Sequence, residues 1–192
     1  MQYVLITNAA VSLIMGCALV MVWRRDPAQA FTRYIGCANL VQLLVPLIYW
    51  AKVQGGATGE LVGNFALAAV AGAYSTLLLV GTAHLANRPL PRQFAWLMLV
   101  VLSVIVASAV SFGGPRVGQA SMGTINTLLG LVCCYWLWNA GATRFSSEKW
   151  VGPLLVLLGL IQFIYVAYQD AGAGLLATLG SLLRIVLGLV LV

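Results

Sequence analysis

The sequence predicts an all-α membrane protein, a single bundle of seven transmembrane helices with its N-terminus outside and its C-terminus in the cytoplasm. Three observations carry this reading. Of 192 residues, 62% are hydrophobic and 7% charged, where a water-soluble chain carries about 25% charged residues. The mean hydropathy is +1.00, and seven apolar stretches reach the roughly 17–25 residues that cross a bilayer as a helix. Finally, the cations sit at the ends of those stretches, where they set topology. Little chain is left for a soluble domain, so residues 1–192 read as one membrane domain.

Helix one is expected over residues 3–23. No positive charge precedes it and Arg24-Arg25 follow it, the reverse of a secretory signal, whose basic start comes first. Asp26-Pro27 ends it, because the residue before proline resists helical torsions. Helix two is expected over 31–50 with a kink at Pro46, and the glycine-rich stretch 51–60 as a loop. Helix three covers 61–86. Its small residues Ala68, Ala69, Gly72 and Ala73 let another helix approach closely, inside the bundle or across a dimer face. Asn87-Arg88-Pro89-Leu90-Pro91-Arg92 makes a stiff basic turn.

Helix four covers 94–112 and ends at Gly113-Gly114-Pro115, and helix five covers 117–138, with a polar loop over 141–149. Helix six covers 150–168, and a short connection through Asp170 leads to helix seven, 172–192. That last stretch is apolar from Leu175 onward except for Thr178, Ser181 and Arg184, with no basic cluster or cap after Val192. The expectation is a helix that runs on into a part outside the membrane.

Orientation follows from counting cations. Arg24, Arg25, Arg33, Arg88, Arg92, Arg144 and Lys149 follow the odd helices, against Lys52 and Arg116 on the other side. Positive charge is retained on the cytoplasmic face, which puts the N-terminus outside and, in a bacterium, the chain in the inner membrane. Trp23, Trp96, Trp136, Trp138 and Trp150 fall on the same inner side, and Trp50 on the outer. A net charge of +6 could otherwise point to nucleic acid. No run of Lys or Arg interleaved with aromatics exists, and nucleic acid is excluded as a partner.

Arg184 is the first candidate for chemistry. It lies about 18 Å into helix seven at 1.5 Å per residue, too deep to reach the surface easily. A buried arginine faces protein or a wet cavity, so it either snorkels toward the cytoplasmic headgroups or bonds neighbouring helices, or it pairs with a carboxylate, a phosphate or another strongly polar ligand group. No Asp or Glu lies deep in another helix to serve as counter-ion. Asn8, Asn39, Gln42, Asn64, Tyr74, Asn126, Thr127, Gln162 and Tyr165 form a second set within the spans. Such groups glue helices together, or else line a cavity open to the outside or the outer leaflet. The candidate ligand-binding set is Arg184, Asn126, Gln162, Tyr74, Asn39 and Gln42.

Cys17, Cys37, Cys133 and Cys134 lack the spacing and histidine help of a zinc site and read as small buried hydrophobes. His84, the only histidine, cannot supply paired haem ligands. A retinal Schiff base would need a lysine in mid-helix seven, and Lys52 and Lys149 are both at helix ends. No intramembrane protease motif is present. No cofactor and no metal is expected, and no catalysis by this chain.

The whole resembles the seven-helix sensor regions at the N-terminus of bacterial signalling proteins, above all diguanylate cyclases with a GGDEF domain. The features are Arg24-Arg25 after helix one, the basic turn from Gly81 to Arg92 after a small-residue helix, and Arg144-Phe145 in the third inner loop. The end, Leu182-Leu183-Arg184-Ile185-Val186-Leu187-Gly188-Leu189-Val190-Leu191, is similar to a final helix feeding a signalling coiled coil. The resemblance implies a membrane-embedded input domain that senses a small or lipid-like ligand within the bundle. It also implies a homodimer in the full-length protein and control of a cytoplasmic output domain making cyclic di-GMP. A small seven-helix transporter and the input domain of a sensor histidine kinase are the alternatives.

Overall fold

The computed structural model describes residues 2–139 and 148–167, with residues 182, 183 and 186 beyond them. Every element is helical: α1 (Gln2–Arg25), α2 (Ala30–Val41), α3 (Leu44–Gln54), α4 (Gly56–Leu85), α5 (Arg92–Asn139), a 3-10 turn (Glu148–Trp150) and α6 (Val151–Ala167). Among the described residues, five helices are long and apolar enough to cross a membrane: α1, α2 with α3 as one broken span, α4, and the two limbs of α5, Arg92–Gly114 and Arg116–Asn139. At 17 residues α6 is shorter. The expected seventh helix lies outside the described residues apart from Leu182, Leu183 and Val186, which are helical.

Each break has a local cause. After α1, the Asp26 carboxylate accepts from the Ala28 N–H at 3.1 Å and from the Gln29 amide at 3.0 Å, an Asx turn that reverses the chain. The second span breaks at Gln42–Leu43. Pro46 has no N–H and its ring crowds the carbonyl four residues earlier, that of Gln42. There the Gln42, Leu43 and Val45 N–H groups donate to Asn39, Leu40 and Gln42, each three residues back. After α4, Asn87 is left-handed (φ 55°) and the Arg88 N–H donates to the Ala83 carbonyl at 2.8 Å, a Schellman stop. Gly114 (φ 76°, ψ −177°) turns α5 back on itself, and Pro115 suits the first turn of the limb that follows.

One expected loop is absent. Residues 51–60 are helical except at Gly55, because α3 runs to Gln54 and α4 starts at Gly56. The glycines there serve contact, not flexibility. A Cβ on Gly55 would lie 2.6 Å from the Gly59 Cα, and one on Gly59 would lie 3.2 Å from the Ala51 carbonyl oxygen. Packing of the hairpin thus overrides the low helix propensity of glycine.

Successive helices pack antiparallel, and small residues set the approach. Gly16 of α1 meets Gly36 and Leu40 of α2, Gly81 of α4 meets Ile35, and Gly72 of α4 meets the Ser103 and Leu99 backbone of α5. The α5–α6 seam is the tightest. Gly123, Thr127, Gly130 and Cys134 face Phe163, Gly159, Val156 and Gly152 in turn, at spacings that keep each set on one helix face. In α4, Ala68 and Gly72 are buried in the bundle while Ala69 is exposed.

The core sits around α4. In the most apolar window of each span, 67% of α4 is buried against 6% of the first limb of α5, which makes α4 the axis and that limb part of the lipid rim. One core cluster joins Leu19, Ile35, Tyr74, Leu78 and Leu85 to Cys133, Leu137 and Leu155. A second joins Ala68 and Ala71 to Val106 and Ile125. The up-and-down course puts Arg24, Arg25, Arg33, Arg88, Arg92 and Lys149 at one end, and Lys52, Glu60 and Arg116 at the other.

Candidate functional site

The second limb of α5 runs parallel to α4, because each is antiparallel to the first limb. A buried contact sets their register. The Cys133 thiol donates to the Thr82 hydroxyl at 3.0 Å, and that hydroxyl donates on to the Leu78 or Leu79 carbonyl. Seven residues back, two turns on the same face, stand Ser75 on α4 and Asn126 on α5, 0% and 1% exposed. Another seven back stand Ala68 and Gln119. The α4–α5 seam is therefore a ladder of small and polar side chains running through the apolar core.

Polar satisfaction along this ladder is uneven. Among the described residues, the oxygens of Ser75, Thr76 and the Gln119 amide are buried with no hydrogen-bond partner, as is Ser12 on α1. A buried hydroxyl without a partner costs free energy, and lipid offers no water to relieve it. These groups carry hydrogen-bonding capacity that the described residues do not fill.

Of the expected ligand-binding residues, Asn126 stands in this ladder, and Tyr74 is buried in the core cluster that includes Leu19, Ile35 and Cys133. Two others lie elsewhere. Asn39 donates to the Ile35 carbonyl of its own helix at 2.9 Å, and Gln42 sits at the break between α2 and α3, half-buried. Gln162 lies on α6, and Arg184 lies outside the described residues. Thr127 is bonded back to Gly123 at 2.8 Å. Sequence reasoning missed Ser75, Thr76 and Gln119. The signal was there in the spacing of Ala68, Ser75 and Thr82, one position per two turns.

Both ends carry further arrangements. At the arginine-rich end, the Arg33 guanidinium lies over Trp23 at 4.9 Å and near the Tyr34 ring at 5.8 Å, and Tyr34 stacks on His84 at 5.0 Å. The stack ties α1, α2 and α4 together. At the other end, an open cleft of about 300 Å³ lies between the start of α4 and the end of the first α5 limb, bordered by Glu60, Asn64 and Ser111. The Lys52 ammonium donates to the Asn64 amide oxygen there. No group of three His, Cys, Asp or Glu among the described residues is placed to hold a metal. The four cysteines are free thiols.

Five apolar spans around a polar seam define a multi-pass helical membrane protein. No family model, curated protein or solved structure matches the chain.

Proposed function

We propose that the chain is a sensory input domain of a bacterial inner-membrane signalling protein, binding a small or lipid-like ligand within the bundle. The supporting observation is the buried polar ladder, where Ser75 and Gln119 have unfilled hydrogen-bonding capacity beside Asn126 and Tyr74. The described connections on the outer side in this reading, at Gly55 between α3 and α4 and at Gly114 between the limbs of α5, are too short to fold a separate binding domain. Recognition therefore belongs to the membrane part. Seven spans with N-terminus outside, a homodimer, and a cytoplasmic diguanylate cyclase as output complete the reading, on the strength of the cation count and the resemblance.

Arg184, on the expected output helix, pairs in this reading with an anionic or strongly polar ligand group, helped by Asn126, Gln162 and Tyr74. A ligand favouring one state by about 1.4 kcal/mol shifts the ratio of two states tenfold, enough for a switch. The test is cellular cyclic di-GMP in a strain whose gene carries Arg184→Gln or Arg184→Lys. Gln removes the charge and should abolish the response. Lys keeps the charge without the planar fork and should retain part of it. Parental cyclic di-GMP in both variants and in a deletion strain would overturn the reading.

One observation favours a transporter as the second reading: the span broken at Gln42–Leu43, since discontinuous helices build transport sites. Solute flux in proteoliposomes, with cyclic di-GMP unchanged by deletion, would establish it instead.

A further inference from the structure

The cleft at the Lys52–Glu60 end is separate from the polar seam, and its chemistry is specific. Glu60 and Asn64 stand four residues apart on one face of α4, with Ser111 across from them on α5. Lysine has only donors to offer, so the Asn64 atom it meets is the amide oxygen, and the Asn64 NH2 is left as a donor. Gly63 makes this possible, because any Cβ there would collide with the Lys52 stem. The cleft thus has a carboxylate at one point and an amide donor at another, with the Lys52 ammonium holding that amide from outside the lining. Among the described residues no cation pairs with Glu60. The remaining wall is apolar, from Leu61, Phe65, Ala107 and Val110. Leu61 and Phe65 are largely exposed, as is Phe112 beside them.

Depth places the cleft at the bilayer interface. With 30 residues, α4 is about 45 Å long, against about 30 Å of hydrocarbon. Its first turns therefore stand among headgroups, with the apolar wall reaching down into the acyl region.

We propose that this cleft binds a zwitterionic phospholipid with a primary-amine headgroup. The headgroup ammonium donates to Glu60, the phosphate accepts from the Asn64 NH2, and an acyl chain lies along Leu61 and Phe65. An anionic headgroup with no amine would meet the Glu60 carboxylate unpaired. A choline headgroup has the positive charge but no N–H to donate.

The test is native mass spectrometry of the detergent-purified chain, exchanged against equal mixtures of phosphatidylethanolamine, phosphatidylcholine and phosphatidylglycerol of identical acyl chains. The ethanolamine lipid should be retained about three- to tenfold over the other two, the range of one partly exposed charge-assisted hydrogen bond. Glu60→Gln should abolish the preference over choline lipid, while Glu148→Gln, at the other end of the bundle, should leave it intact. Thermal unfolding of each variant checks that the fold is kept. Equal retention of the three lipids, preference for the glycerol lipid, or a folded Glu60→Gln variant with parental selectivity would each overturn the proposal.

Discussion

Replacing Gly130 by alanine places a methyl group where α6 already is. The new Cβ would lie 2.5 Å from the Val156 nitrogen, 2.7 Å from its Cγ2 and 3.0 Å from the Leu155 carbonyl carbon. Ordinary contact is roughly 3.5–4.0 Å, so α6 must retreat by about 1 Å. Overpacking of this kind costs about 1–3 kcal/mol, and alanine's better helix propensity returns up to about 1 kcal/mol. The net loss is about 1–2 kcal/mol. Gly159→Ala should behave alike, with the Thr127 nitrogen at 2.7 Å and the Gly123 carbonyl oxygen at 2.9 Å. Gly123→Ala is the internal control. Its nearest neighbours are at 3.2 Å, one of them the Phe163 ring, and the propensity gain offsets the small overlap. The assay is thermal unfolding in detergent, followed by a maleimide dye that reacts as buried Cys133 becomes exposed. The first two variants should unfold about 2–8 °C below the parent, taking about 2–4 °C per kcal/mol for a chain of this size, and Gly123→Ala close to it. If all three unfold together, or Gly130→Ala unfolds at the parental temperature, backbone proximity does not hold this seam.

Thr82→Val removes the acceptor for the Cys133 thiol, and its double-mutant cycle with Cys133→Ala should give a coupling of about 0.6 kcal/mol, the mean for bonds between membrane helices. Gly114→Ala forces a side chain into a glycine-only region (φ 76°, ψ −177°) and should cost about 1–3 kcal/mol. Gly56→Ala, at φ 55° with nothing within 4 Å, should cost about 1–2 kcal/mol, so the reverse order in thermal unfolding would refute the torsional argument. Reporter fusions after Arg25, Arg92 and Lys149 should share the cytoplasmic side, with fusions at Gly55 and Gly114 opposite. A cytoplasmic signal at Gly55 would break the proposed topology.

The membrane class and most helix ends were legible because they rest on composition and on residues with fixed torsional habits. Pro46, Asn87-Arg88-Pro89 and Gly113-Gly114-Pro115 each interrupt helix for a reason internal to a few residues. The stretch 51–60 misled because glycine has two uses. Composition marks it as flexible, and only the partner helix reveals it as a contact surface. The polar residues divide in a way that composition does not show. Asn39 and Thr127 bond back to their own carbonyls, whereas Ser75, a weaker signal in sequence, is wholly buried. Which of these happens depends on which face meets a neighbour, and that is a property of the packed bundle.

The arrangement of seams bears on how a change could cross this protein. Among the described residues α1 packs mainly on α2 and α6 on α5, while α4 is the main link between the α2–α3 span and α5. The α5–α6 seam is locked by backbone contact at glycines, and close-packed surfaces resist sliding because any displacement meets hard repulsion. The α2–α3 span is divided at Gln42–Leu43, where each half packs on α4 separately. Between these two, the α4–α5 seam holds Ser75, Thr82 and Asn126, and the Ser75 hydroxyl is buried with no hydrogen-bond partner among the described residues. On the proposed sensory reading, a ligand seated at Ser75 would satisfy a buried donor and so favour whichever spacing of α4 and α5 admits it. Occupancy of the ladder would, on that reading, act on the spacing of α4 and the second limb of α5, while Gly72 holds α4 against the Ser103 and Leu99 backbone of the first limb.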